Sequence, residues 1–229
     1  MEIARAAAGL FVRRGLRATR AEDIAQTAGI APRTFYRYFA TKEEAVAPLY
    51  AAGAQRWVEA VRAAPATVSV AQALEDGVRH TLTPGVGVSA SSWEWVRTLL
   101  RLAAANPSLR RVWAEVCQDS ERMLGEALAE RVTRADGAVE TGADGAVETG
   151  ADRAVETAAT HRADNVAEAG DLRSGDTPEL RFAAAVASAA VRTALEGWAE
   201  GDGPTEGPGS PAELALRNLA ALRNFPFGA

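Results

Sequence analysis

Apolar residues recur every three or four positions along most of the chain, which is the spacing of one face of an α-helix. Within the first fourteen residues, Ile3, Ala7, Leu10 and Phe11 follow this pattern, and Gly15 is a stop signal behind them. The same spacing predicts later helices at roughly 69–82, 90–105, 108–132, 178–200 and 211–225. No sustained period-2 run appears, so the sequence predicts an all-α fold.

Two short helices and one long helix are predicted directly after the first helix. A capping box, Thr19 to Glu22, opens the second helix, because its hydroxyl and carboxylate each satisfy a free backbone amide. Gly29 ends that helix, and the third helix runs from Pro32 to about Phe39, since proline fits the first turn of a helix. A second capping box, Thr41 to Glu44, predicts the start of a long fourth helix.

The second and third helices have the order and lengths of a helix-turn-helix, in which one helix braces another that enters the major groove of DNA. Phe35 and Phe39 lie on the predicted inner face of the third helix. Arginine, threonine and tyrosine side chains suit guanine, thymine and phosphate contacts. Those on the outer face are Arg33, Thr34, Tyr36, Arg37 and Tyr38.

Two further cations stand near predicted helix starts, where the helix dipole also favours a phosphate. Lys42 precedes the fourth helix and Arg20 precedes the second, so both are candidate phosphate contacts. The alternative reading is that all these residues are simply exposed on a small helical bundle.

The run from Ala18 to Ala25 and the run from Gly29 to Glu44 resemble the DNA-binding head of the TetR family of bacterial transcriptional regulators. The resemblance covers about residues 3–50. It implies that Thr34, Tyr36, Arg37 and Tyr38 face DNA and that Lys42 takes a backbone phosphate. It also implies a three-helix head, residues 1–47, joined by a long fourth helix to a helical effector-binding and dimerisation body, residues 48–229.

The net charge of −5 is unevenly distributed. Residues 1–47 hold eight basic residues against five acidic ones, whereas residues 134–176 hold four against ten. The acidic segment repeats the unit Ala-Asp-Gly-Ala-Val-Glu-Thr-Gly, which offers little apolar surface to offset the entropy of ordering. We therefore expect 134–176 to be a disordered acidic insertion.

The body is expected to dimerise through its last two helices, 178–200 and 211–225. Small and apolar residues form a stripe on the first of them, which is consistent with a two-fold four-helix bundle but also with an intrachain core. That stripe comprises Val186, Ala187, Ala190, Val191, Ala194 and Trp198, and the second helix carries Leu216, Leu219, Leu222 and Phe225.

A small-molecule effector of unknown identity is expected to bind among the large side chains of the middle helices. Arg97 and Arg101 stand one turn apart and could pair with an anionic group, or could bridge to Glu94. The candidate ligand-binding residues are Trp93, Val96, Arg97, Leu100, Trp113, Cys117 and Phe182.

These features favour a DNA-binding regulator, most simply a repressor that an effector releases from a near-palindromic operator. The sequence contains no nucleophile-and-base spacing, phosphate-binding glycine loop or metal-ligand cluster, so we expect no catalysis, metal or cofactor. One cysteine and no long apolar run predict a cytoplasmic protein with no membrane partner. The alternatives are a helical interaction protein or a helical-scaffold enzyme that has lost operator reading.

Overall fold

The structure, a computed structural model, describes residues 1–85, 90–143 and 177–220. Every regular element in these ranges is helical, which confirms the predicted all-α fold. No helix in the described ranges is both long and apolar enough to cross a membrane. The helices are α1 (Glu2–Arg14), α2 (Ala21–Thr27), α3 (Pro32–Tyr38), α4 (Ala47–Ala63), α5 (Val70–Leu82), α6 (Ala90–Ala105), α7 (Pro107–Ala143), α8 (Pro178–Glu200) and α9 (Pro211–Leu219).

The first three helices form a small head around buried apolar side chains. Phe11 of α1, Ile24 of α2 and Phe35 of α3 are almost fully buried together. Burying three large side chains offsets much of the entropy lost in ordering helices as short as α2 and α3, which are marginal alone. Gly29 has φ +69°, a left-handed conformation that suits glycine and allows the sharp turn between α2 and α3.

The capping of α2 differs from the prediction. The Thr19 side chain is buried and its hydroxyl donates to the Gly15 carbonyl at 2.9 Å, so it does not cap α2. Instead the Asp23 carboxylate accepts from the backbone N–H of Arg20 at 2.9 Å. The predicted box was one residue too early, because Thr19 is needed to close the end of α1.

The second predicted capping box is present only in part, because Glu44 bonds the amide before Thr41, and α4 begins later than predicted, at Ala47. The backbone N–H of Glu44 donates to the Thr41 hydroxyl at 3.3 Å, and the Glu44 carboxylate accepts from the backbone N–H of Ala40 at 2.9 Å. A single 3₁₀ turn, Glu44–Val46, then leads into α4. The head is thereby joined to the body through a tightly hydrogen-bonded corner.

In the body, α4 packs against α5 and α7, and α8 packs against α7 and α9. The α4–α5 contact is close because Gly77 faces Trp57, where an added Cβ would lie 2.9 Å from the indole ring. The Trp57 indole N–H donates to the Leu74 carbonyl at 3.2 Å and fixes the ring in that position. This packing holds α4, the helix that leads directly from the head, firmly within the body.

The long helix α7 extends beyond its predicted end. It continues through Ala143 and so includes the first copy of the acidic repeat, which means that the expected disordered boundary at residue 134 was too early. Adding residues to an existing helix avoids the cost of nucleation, so alanine and glutamate can extend α7 despite the glycines. The rest of the predicted insertion, residues 144–176, lies outside the described residues.

Candidate nucleic-acid interface and effector cavity

Helix α3 presents polar and aromatic side chains to solvent over a buried apolar base. Tyr36 and Tyr38 are 53% and 61% exposed, and Arg33 and Arg37 are also exposed, while Thr34 is half-buried. Beneath them, the Phe35 and Phe39 rings pack with centroids 5.4 Å apart. The predicted set of outward residues therefore occupies one accessible surface, which we call the α3 face.

One pair of side chains on the α3 face is already held in place. The Arg37 guanidinium donates to the Tyr38 hydroxyl at 3.0 Å and lies 4.9 Å from the centre of that ring. This contact reduces the rotamer freedom that an arginine must lose when it binds a base edge or a phosphate. Arg37 is thus the most preorganised cation of the face.

The two predicted phosphate contacts differ in their surroundings. Arg20 is exposed at the start of α2, with its guanidinium 3.6 Å from Glu22. Lys42 is half-buried, and its ammonium donates to the carbonyls of Leu16 at 2.7 Å and Thr19 at 2.8 Å. Lys42 therefore fastens the loop between α1 and α2 to the segment that precedes α4, and only its remaining N–H can reach a phosphate.

A cavity of about 620 Å³ lies in the body and reaches the head. Its walls come from α4, α5, α6, α7 and α8, and Arg5 of α1 contributes to one side. On that side Trp95 of α6 lies against α1, since a Cβ added at Gly9 would be 3.2 Å from its indole. Five of the predicted ligand residues line the cavity: Trp93, Val96, Leu100, Trp113 and Cys117.

Some polar groups of the cavity wall donate hydrogen bonds to other residues of the chain. The Tyr50 hydroxyl donates to the Leu99 carbonyl at 3.0 Å, and the Trp113 indole N–H donates to Glu196 at 2.7 Å. Burial raises the pKa of Tyr50 well above its ordinary value. Burial also raises the pKa of Cys117 to about 12, so its thiol is protonated at neutral pH and is a weak nucleophile.

Two predicted ligand residues lie elsewhere. The Arg97 guanidinium donates to the Gly203 carbonyl and lies 4.1 Å from the centre of the Trp198 ring, so it secures the loop after α8. Its neighbour Arg101 donates to the carbonyls of Ala199 and Gly201 in the same region. Phe182 is 54% exposed on the outside of α8 and does not line the cavity.

The sequence reasoning missed several residues of the cavity wall, polar ones among them. Arg56 of α4, Thr81 of α5 and Ser188 of α8 all line the cavity. Helical periodicity ranks side chains by hydrophobicity, so polar residues at helix positions read as solvent-facing. Spacing was a signal for Thr81 and Ser188, which stand three residues from Val78 and Val191, whereas small or polar residues occupy these positions around Arg56.

The predicted dimer stripe on α8 is largely an intrachain core. Ala187, Val191, Ala194 and Trp198 are buried within the single chain. The opposite face of α8 is the accessible one, with Phe182 and Thr193 exposed and Val186 and Ala189 half-buried. Leu219 of α9 is buried too, and the predicted positions Leu222 and Phe225 lie outside the described residues.

Comparison with known proteins gives matches of different extent. A model of the family described as bacterial regulatory proteins, tetR family, matches residues 3–47. The HTH-type transcriptional regulator TcmR of Streptomyces glaucescens is 28% identical over 135 residues, which are 57% of this chain and 58% of TcmR. The aligned region therefore spans a little over half the length of that relative.

Two solved structures are also similar. A TetR-family transcriptional regulator from Mesorhizobium loti is 17% identical with a TM-score of 0.48, covering 96% of this chain and 92% of that one. The TetR-family regulator PfmR from Thermus thermophilus is 19% identical with a TM-score of 0.41, covering 96% of each chain. The match over residues 3–47 shows that the helix-turn-helix head of this chain is similar to the tetR family of bacterial regulatory proteins.

Proposed function

We propose that this chain is a DNA-binding transcriptional repressor whose operator affinity is controlled by a small molecule in the body cavity. The observation that carries the proposal is the α3 face, where Arg33, Thr34, Tyr36, Arg37 and Tyr38 stand together on the second helix of a helix-turn-helix. Residues 1–47 would act as the DNA-binding domain and 48–229 as the effector-binding and dimerisation domain. Such a regulator works on double-stranded DNA in the cytoplasm.

The α3 face is suited to reading a major groove. Arg33 and Arg37 can donate two parallel hydrogen bonds to a guanine, and Thr34 can meet a thymine methyl or a base edge. Tyr36 and Tyr38 are long enough to reach phosphates, as is Arg20 at the start of α2. The remaining N–H of Lys42 would add a phosphate contact while its other bonds hold the loop between α1 and α2.

Two copies are needed to bind a near-palindromic operator, because each recognition helix reads one half-site and the half-sites lie about 34–36 Å apart. We propose that the homodimer forms through the exposed face of α8, together with the region from α9 to about residue 225. Phe182 is its largest exposed apolar side chain, and Val186, Ala189 and Thr193 follow it at helical spacing.

The cavity is the proposed effector site. Its volume is in the range of small-molecule pockets, about 300–1,000 Å³. It contacts both α4 and α1, so a ligand can bias the position of the head relative to the body if it binds one arrangement more tightly. No separate catalytic constellation is needed for this role, and we propose that the chain is not an enzyme.

The proposal is tested by fluorescence anisotropy with DNA from upstream of the gene. Arg37→Ala and Tyr36→Ala should each weaken binding by about tenfold or more, because a base-edge or phosphate contact is worth about 1–3 kcal/mol. Arg111→Ala is the matched control, since Arg111 is an exposed arginine of α7 that pairs with Glu115 away from the head.

Affinity should also fall steeply as salt rises, because phosphate contacts release counterions. Equal binding by the wild type, both α3 variants and the control would refute the proposed function. A helical interaction protein would show that result.

A further inference from the structure

The side chains that line the cavity restrict the chemical class of ligand that it can bind. Five aromatic side chains line it: Tyr50, Trp57, Trp93, Trp95 and Trp113. Flat aromatic rings pack efficiently against such walls through offset and edge-to-face contacts. The Tyr50 and Trp113 rings already adopt one such contact, with centroids 5.1 Å apart.

Several polar atoms of the cavity wall have no hydrogen-bond partner among the described residues. They are the Trp93 indole N–H, the Thr81 hydroxyl, the Ser188 hydroxyl and Nε of Arg56. Trp93 and Thr81 are only 1% exposed, so bulk water does not replace the missing partners. Buried polar groups are normally satisfied in folded proteins, and four orphan atoms on one cavity point to a ligand that accepts hydrogen bonds.

The charge of the cavity has one sign. Arginines contribute to the wall, whereas no aspartate or glutamate is found among its described lining residues. Arg5 pairs with Glu2 at 3.2 Å, and Arg192 pairs with Glu196 at 3.2 Å. Arg56 has no carboxylate within ion-pair distance among the residues that the structure describes. Arg56 of α4 is therefore an uncompensated cation of the described cavity wall.

We propose that the cavity binds a flat aromatic molecule that carries an anionic oxygen group such as a carboxylate, and that Arg56 holds this group. This inference rests on the proposed function, since it names the chemical class of the effector. The aromatic walls would enclose the rings, and the Trp93 N–H with the Thr81 and Ser188 hydroxyls would bind further oxygens on the ligand. A guanidinium suits this task because it presents parallel donors to a carboxylate.

The test uses two probes of nearly equal shape, 9-anthracenecarboxylate and its neutral amide, titrated into the full-length protein by calorimetry and by quenching of tryptophan fluorescence. We expect the wild type to bind the carboxylate about tenfold or more tightly than the amide, as expected for a hydrogen bond to a charged group. Equal affinity for the two probes, or no binding of either, would overturn the proposal.

Variants test whether Arg56 causes the preference for the carboxylate probe over the amide. Arg56→Gln should bind both probes equally, and Arg56→Lys should recover part of the preference. Arg62→Gln is the matched control, because Arg62 stands on the same helix but pairs with Glu130 at 2.7 Å and does not line the cavity. Trp93→Phe should weaken the binding of both probes, since it keeps an aromatic ring but removes the unpaired indole N–H. A full preference in Arg56→Gln would overturn the assignment.

Failure of this inference can be separated from failure of the proposed function. Operator binding is measured on the same preparations without any probe. If the protein binds DNA but does not prefer the carboxylate probe, only the proposed ligand class is rejected. If the protein prefers the carboxylate probe but does not bind DNA, the proposed repressor function is rejected and the proposed ligand class is retained. The two wild-type probe titrations decide the ligand class even if a variant does not fold.

Discussion

At the residue scale, some side chains of the head make different hydrogen bonds from those that their residue types predict. Thr19 and Lys42 both stand at predicted helix starts, yet the Thr19 hydroxyl closes the end of α1 at the Gly15 carbonyl. The Lys42 ammonium bonds two carbonyls of the loop between α1 and α2. A hydroxyl or an ammonium bonds whichever partner lies within reach, and the fold decides which partner that is. The proposed DNA-facing role of α3 would depend on this corner.

Gly29 is the residue that sets the turn of the helix-turn-helix. Replacing it by alanine should lower the free energy of unfolding by about 1–2 kcal/mol, because an L-residue at φ +69° is strained. Gly53→Ala is the control: it lies inside α4 with open space around its Cβ position, so alanine should raise stability by up to about 1 kcal/mol.

Urea unfolding of the three proteins measures both effects. An unchanged midpoint for Gly29→Ala would contradict the assigned role of the turn.

At the element scale, a buried arginine of α7 fixes the end of α4. Arg131 is buried and donates to the carbonyls of Ala64, Pro65 and Val68, and at 3.3 Å to that of Val61. A charged donor that satisfies several carbonyls at a helix C-terminus also interacts favourably with the helix dipole. The far end of α4 is thereby anchored to the body while its near end meets the head.

Replacing Arg131 by methionine should therefore destabilise the whole chain. We expect a loss of at least about 2 kcal/mol, because several buried carbonyls lose their donor. Arg122→Met on the same helix is the comparison, since Arg122 is exposed and its surface pair with Glu126 is worth about 1 kcal/mol or less. Thermal unfolding monitored by circular dichroism distinguishes the two, and similar melting temperatures would argue against the anchoring role.

At the scale of the whole molecule, α8 has two distinct faces. One face is buried against α6, α7 and α9 within the chain and includes Trp198, whose ring packs edge-on against Trp93. The other face carries Phe182 and small residues at the surface. An exposed phenylalanine in line with small side chains is suited to the close approach of a second copy.

A dimer through this face would be sensitive to charge at its largest apolar residue. Phe182→Glu should convert the dimer to a monomer and weaken operator binding, because two like charges would meet near the two-fold axis without solvent. Phe182→Leu keeps the apolar character and should remain dimeric. Sedimentation velocity at several protein concentrations reports the oligomeric state, and a dimer of unchanged affinity in Phe182→Glu would exclude this face.

The sequence by itself determined the all-helical class, the helix-turn-helix and the outward residues of α3. These features depend on local rules: helical periodicity, a glycine turn and proline at helix starts act over a few residues and do not require knowledge of distant contacts. The same rules also placed Trp93, Val96 and Trp113 among the residues of the body interior, because large apolar side chains at helical spacing are buried.

Tertiary structure alone decided which of those residues share one space. Arg97 and Arg56 both occupy helices rich in apolar residues, yet only Arg56 lines the cavity, while Arg97 is committed to the loop that follows α8. The burial of Ala187 and Ala194 inside one chain likewise depends on which helices of the same chain pack against that face of α8. Such choices follow from the packing of helices far apart in sequence, which local periodicity does not encode.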